Sequence, residues 1–410
     1  MTDTSSTTAG TIATAPAPPP SAPAGAPVKR GRGSRPRRNP GMITEYRQDL
    51  RLHRTRAAQF GIVLMALIWL AAPMQLEDAW LGILNGVAIY AIGGIGLNLL
   101  TGYTGQVSLG SAFFMAVGAF SGVYMAKNGL PFLGVGALPF VLWLPLAAVA
   151  GGAIGALIGP VALRLQGNYL AIVTIALLFL GEHILTAWTA VSGGHRGTSA
   201  RVPLTIGPVD FDKLSFLGTN YSRVQGRFWL LWALVALTAV LARNIVRSRP
   251  GRAMQAIRDR DIAAEVVGIS LLRYKVGAFA LSSGLAAASG ALLATTVLNF
   301  INPEQFGSTA GLVLSIQFVA VIIIGGMGTI YGSVLGALVV GGLPQLIQKY
   351  SSSLPGLKQS QDGDGLITVA SFNNALFGVL VIVFLLAEPL GLAGVWTRIK
   401  TYFKSWPFSY

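Results

Sequence analysis

The sequence predicts an all-α, polytopic membrane protein. It has about ten transmembrane helices, both termini on the cytoplasmic side, and one short helix exposed to the cytosol between spans. Three observations predict this. Of 410 residues, 53% are hydrophobic and only 11% charged, with a mean hydropathy of +0.61; a soluble chain could not hide that much apolar surface, whereas lipid solvates it. Apolar runs near the ~20-residue thickness of the hydrocarbon core recur along the chain. The basic residues gather in a few segments that one topology places on a single side.

Taken in order, residues 1 to about 40 are rich in Thr, Ser, Ala and Pro and then basic (VKRGRGSRPRRNP). They lack apolar periodicity, which predicts disorder. No secretory signal lies near the start. Residues 41–58 (GMITEYRQDLRLHRTRAA) have the pattern of a basic amphipathic helix suited to anionic lipid. Residues 1–58 are therefore set apart as a basic cytoplasmic tail, 59–390 as the membrane domain, and 391–410 as a cytoplasmic C-terminal tail.

Spans are expected at 59–75, 80–100, 108–126, 138–161, 169–190, 228–245, 274–297, 309–325, 330–348 and 372–388. With the N-terminus inside, the cytoplasmic connections fall near 101–107, 162–168, 246–273 and 326–329. This arrangement puts 22 of the 30 Lys and Arg on the cytoplasmic side. Five of the other eight sit in one long external loop, 191–227, where the rule is weak. The net charge of +15 thus reports orientation rather than a nucleic-acid ligand.

The connection at 249–270 (RPGRAMQAIRDRDIAAEVVGIS) interrupts this pattern. Pro250 and Gly251 suit a helix start. Ala253, Ala256, Ile257, Ala264 and Val267 recur at helical spacing, while Arg258, Asp259, Arg260, Asp261 and Glu265 form a polar face. Docking a soluble partner or lying on lipid would each account for such a helix.

The chain holds 51 Gly, and small residues let helices approach where lipid supplies no hydrophobic drive. Two clusters, TGYTGQVSLGSAFFMAVGAF and IGGMGTIYGSVLGALVVGG, each run from a glycine turn into a small-residue helix. In this topology both turns face the cytosol. Glu182 and His183 lie inside the fifth span, where ionisable groups are costly and line a pathway, bond between helices, or sit near the outer water boundary. Asn98, Gln106, Asn168 and Gln317 sit at or near span ends, where they line a pore or bond between helices.

The absence of Cys removes disulfides and thiolate chemistry, and three scattered His make a metal site unexpected. Phosphate cradling by GGHRGTS is rejected because the P-loop Lys is missing. No catalytic cluster of the metalloprotease, serine-hydrolase or Walker type occurs. The expectation is transport without covalent chemistry and without a cofactor. An ion-coupled secondary transporter, with Glu182 as a proton site, and a membrane scaffold or lipid enzyme are the other classes.

GLNLLTGYTGQVSLGSAFFMAVGAF, LRLQGNYLAIVTIALLFLGEHIL, GRAMQAIRDRDIAAEVVGISLLRYKVGAFALSSGLAAASGAL and NPEQFGSTAGLVLSIQFVAVIIIGGMGTIYGSVLGA resemble successive blocks of LivM-type permeases. These are the membrane subunits of branched-chain amino-acid ABC importers. The blocks stand in family order and cover roughly residues 80–390. Urea and short-chain amide permeases are similar in the same places. The resemblance implies a second, LivH-like permease, two cytosolic ATP-binding subunits, a periplasmic or extracellular solute-binding protein, and a bacterial cytoplasmic membrane. It also implies that the 246–273 connection couples to the ATPase, with Arg258, Asp259, Glu265 and Gly268 facing it and Gly268 ending the helix at positive φ. The chain departs from the family pattern at Ser192–Gly197, where His195 and Arg196 replace small or acidic residues.

Overall fold

The computed structural model describes residues 56–130, 134–164, 169–216, 219–350, 357–358, 367–388 and 390–405. Residues 1–55, including most of the expected amphipathic stretch at 41–58, lie outside the described residues.

All ten apolar runs form helices, and four further helices lie between or after them. The first seven helices are α1 Arg56–Gln75, α2 Asp78–Thr104, α3 Ser111–Asn128, α4 Phe140–Arg164, α5 Tyr169–Ala187, the short α6 Thr189–Ser192, and α7 Arg223–Arg247. Next come the pair α8 Arg249–Asp259 and α9 Asp261–Val266, then α10 Leu271–Leu293, which a π turn extends to Leu298. The last four are α11 Ser308–Gly325, α12 Ile330–Tyr350, α13 Val369–Ala387 and α14 Gly391–Ser405.

Seven helices among the described residues are long and apolar enough to cross a membrane: α2, α4, α5, α7, α10, α11 and α12. The expected ten are therefore supported in seven. The apolar parts of α1 and α13 shrink to Val63–Gln75 and Ser371–Phe384. α3 is diluted by Ser111, Gly118, Ser121, Gly122 and Lys127, as suits a helix packed against α10 and α4 rather than lipid. The C-terminal 391–405 segment, expected as a tail, is helical.

Among the described residues the strands are all two residues long. β1 (Thr198–Ser199) pairs antiparallel with β6 (Phe300–Ile301). β2 (Thr205–Ile206) with β3 (Val209–Asp210), and β4 (Ser215–Phe216) with β5 (Thr219–Asn220), are antiparallel pairs inside the long loop. β7 (Leu357–Lys358) and β8 (Ile367–Thr368) are parallel.

α2 is the central helix, buried nearly throughout from Leu81 to Thr104. Its sequence is mostly apolar or glycine with no polar stripe, the pattern of a helix enclosed by others. It packs against α10, α12, α7 and α11. Small residues make a close crossing between α3 and α10. A Cβ added at Gly118 would collide with the Ala287 carbonyl, and one at Gly290 with the Met115 carbonyl. Backbone contact of this kind replaces the hydrophobic drive that lipid does not supply.

Polar residues tie the helices together at depth. Tyr90 stacks on Phe318 with ring centroids 5.1 Å apart and donates to Gln317 Oε1 at 2.8 Å. Gln317 is thus an interhelical hydrogen-bond acceptor. Arg227, expected in the external loop, is 7% exposed. Its Nε donates to Asp212 Oδ1 at 2.9 Å and its Nη1 to the Thr296 carbonyl at 2.7 Å, fastening the long loop to the bundle.

The connections separate into two ends. One carries the Glu77–Lys349 ion pair at 3.9 Å, the Ser222–Asp78 hydrogen bond at 2.8 Å and the β1–β6 pair. At the other end the 101–107, 246–270 and 326–331 segments meet. The start of α14 joins them there.

Candidate functional site

The 249–270 segment is built in two parts. Ser248 is extended at the start of α8, its hydroxyl donating back to the Ile245 carbonyl at 2.5 Å, and Pro250 sits in the first turn, where its missing N–H costs nothing. Gly251, Ala253, Met254 and Ile257 form the buried face of α8, which packs on α7, α2 and α10. Arg260 is extended (φ −157°, ψ 110°) and breaks the helix. α9 then restarts with Asp261, an acidic residue suited to a helix N-terminus. Its carboxylate also accepts from Lys275 Nζ at 2.6 Å.

The break changes which residues face out. A continuous helix would have placed Val267 on the buried face with Ile257 and Ala264. Instead Ala264 alone of α9 is buried, and Ile262, Val266 and Val267 are 80%, 83% and 80% exposed. This exposed apolar trio is a candidate contact surface that periodicity missed. The signal available was Arg260-Asp261, a charged pair where a continuing helix would need no interruption.

α9 ends as expected. Gly268 has φ +88°, its N–H donates to the Glu265 carbonyl at 2.9 Å, and the Ile269 N–H donates to the Ala264 carbonyl at 3.0 Å. This is the paired hydrogen-bond pattern that closes a helix with a left-handed residue.

All four residues assigned to ATPase contact, Arg258, Asp259, Glu265 and Gly268, are exposed. Arg258 also makes contacts within this chain. Its Nη1 donates to the Gly102 carbonyl, its stem lies beside Gly105 (φ +73°), and its guanidinium lies beside Gly328 (φ +79°). Arg258 therefore ties α8 to both glycine turns of this same chain. The two glycine clusters lie side by side at one end of the bundle, with Arg258 between them.

Asn98 completes the joint. It is 1% exposed. Its Nδ2 donates to the Thr329 carbonyl at 2.8 Å and to Ser333 Oγ at 2.7 Å, and its Oδ1 accepts from the Gly328 N–H at 2.8 Å. Both halves of the amide are engaged, so Asn98 clasps the α11–α12 turn onto α2. Gln106 is half-buried in the neighbouring turn, where its carbonyl accepts from Thr101 Oγ1 at 2.9 Å.

The other pathway candidates are not brought together with these. Glu182 lies against Gly307, immediately before α11, whereas Asn98 binds the turn immediately after it. The 18 residues of α11 separate them by roughly 27 Å at 1.5 Å per residue. His183 is exposed beside the exposed Phe179, Leu180 and Ile184. Asn168 lies outside the described residues. Among the described residues no group of His, Asp or Glu could hold a metal ion.

What the arrangement can do is mechanical. A short helix pair is fixed by α8 to two glycine turns that begin or end α2, α11 and α12. Its second half presents an apolar surface outside the bundle. Force applied there has a direct route to three central helices.

Comparison with known proteins agrees with a transport role. Residues 79–386 match the family described as "Branched-chain amino acid transport system / permease component". The high-affinity branched-chain amino acid transport system permease protein LivM of Salmonella typhimurium is 31% identical over 294 residues, covering 68% of this chain and 66% of the relative. LivM of Escherichia coli is 29% identical, covering 68% and 65%. The ribose import permease protein RbsC of Haemophilus influenzae is 27% identical, covering 68% and 80%. The chain thus spans just under two thirds of the length of the two LivM relatives. No solved structure matches. With its apolar helices and a family match across most of its length, the chain is a multi-pass membrane protein that belongs to the branched-chain amino acid transport system permease family.

Proposed function

We propose that this chain is a permease subunit of an ABC importer in a bacterial cytoplasmic membrane, forming part of the pathway for branched-chain or other small amino acids. Its partners are a second, LivH-like permease, two cytosolic ATP-binding subunits and an external solute-binding protein. The chain binds no nucleotide and is not an enzyme; hydrolysis on the partners supplies the energy.

The observation that carries this reading is the α8–α9 pair. One half is tied through Arg258 to the turns at Gly102 and Gly328, and the other half exposes Ile262, Val266 and Val267. ATPase closure against α9 would displace α8, and α8 would move the ends of α2 and α12. Asp259 and Glu265 would set the register of docking at the rim, where charges govern specificity more than affinity.

Reconstitution tests the proposal. Vesicles holding the complete assembly should take up leucine only with ATP inside and binding protein outside, and the chain alone should take up none. Uptake by the chain alone on an ion gradient would overturn the reading in favour of a secondary transporter acting through Glu182. The ribose permease relatives favour a broader solute range, so competition by leucine, urea and ribose against the same uptake identifies the class.

A further inference from the structure

We propose that α14 is an interfacial helix that lies on the membrane surface at the α8–α9 end of the bundle, with anionic lipid as its partner. Its sequence, GLAGVWTRIKTYFKS, holds Arg398, Lys400 and Lys404 and no acidic residue. Trp396, Ile399 and Tyr402 recur every third residue and are 58%, 44% and 63% exposed. At 100° per residue these three, with Val395, fall within one sector of about 120°. The opposite side is the docked one. Ala393 is buried against Gly326, and Thr397 lies 3.3 Å from the Tyr331 hydroxyl.

Lipid is the occupant for three reasons. The helix follows the apolar α13 after a three-residue turn, with Gly391 at φ +63°, and its first turn lies where α11 ends. It therefore starts at the level where apolar helices leave the hydrocarbon. Trp and Tyr are the residues suited to that level, with one face apolar and one edge polar. Arg398 is paired with Glu388 at 2.6 Å, which leaves the exposed Lys400 for an anionic headgroup beside the apolar stripe, the pattern of a surface-lying helix.

The placement has a consequence for the coupling joint. Gly391 and Ala393 pack on Gly326, two residues from the Gly328 that Arg258 touches. A lipid surface that holds α14 therefore braces the α11–α12 turn at Gly326, beside the point that Arg258 contacts. A cleft of about 480 Å³ lined by Met327, Thr329, Tyr331, Thr401 and, at the edge of the exposed stripe, Tyr402 lies between α14 and that turn.

The chain has no Cys, so a single introduced Cys carries a unique label. An environment-sensitive fluorophore is attached to Trp396→Cys, Ile399→Cys or Thr401→Cys in the full-length chain, in vesicles containing phosphatidylglycerol. Labels at 396 and 399 should be quenched at least twofold by lipid brominated high on the acyl chain and be indifferent to aqueous iodide. The label at 401 should show the reverse. Iodide access at both 396 and 399, without quenching by brominated lipid, would overturn the proposal. Protection of both from either quencher would overturn it too, since protein would then cover the face. The 399 variant guards against misfolding at Trp396. The readout needs neither ATP nor solute, so its failure is separate from failure of the permease reading.

Discussion

Replacing Val266 and Val267 by Ala removes four methyl groups from the exposed surface of α9. Both side chains are at least 80% exposed, so the chain's own fold gains almost nothing from them, and its stability should shift by no more than about 0.5 kcal/mol. An ATPase groove that buries them gains about 0.8 kcal/mol per methyl-sized group, or roughly 3 kcal/mol in all. At 1.4 kcal/mol per decade this weakens docking on the order of 100-fold. The assay is binding of the purified ATP-binding subunits to the chain in lipid nanodiscs, with thermal unfolding of the same sample as control. Lost affinity with unchanged melting is the expected result. Affinity within about threefold of the parent, with melting unchanged, would refute α9 as the docking knob and return attention to the charged rim.

Three further perturbations probe the frame behind that site. Gly118→Val drives a side chain into the Ala287 carbonyl, and overpacking of this kind costs about 1–3 kcal/mol. A clear fall in melting temperature is expected, whereas Gly82→Val, with nothing within 4 Å, should leave melting unchanged. Asp212→Ala strips the buried Arg227 of its carboxylate, at about 3–5 kcal/mol; the double variant with Arg227→Met should recover much of the lost stability. Asn98→Leu orphans the Gly328 N–H, at about 1–3 kcal/mol. Hydrogen exchange at 326–330 should rise well before exchange in α5 does.

Much of the frame was legible because lipid imposes it. A span must be apolar for about 20 residues, and that length left every apolar run recognisable as a helix. The capping residues were equally plain: Pro250 in the first turn of α8, and Gly268 at positive φ after α9. The site was legible in place but not in detail. Arg258 carries a charge that suits a partner, yet its guanidinium serves Gly102 across 156 residues of chain. Nothing local distinguishes those two uses. Asn98 has the polarity of a pore-lining residue, and only the approach of the α11–α12 turn shows it to be fully engaged.

By itself the sequence determined membrane residence, the order of helices, the segments that share a side, and the family. These follow from composition and from spacing along one dimension. The tertiary structure decided which long-range partners meet. It decided that α3 is enclosed rather than lipid-facing, that Arg227 is buried and paired, and that Glu182 and Asn98 lie at opposite ends of α11. It also decided that α9 turns its valines outward, and that the C-terminal tail is a helix with an exposed aromatic stripe. The physical reason is common to all of these. Lipid rewards apolar length on any helix, but it does not choose neighbours; close backbone contact and polar satisfaction do, and both depend on residues hundreds of positions apart.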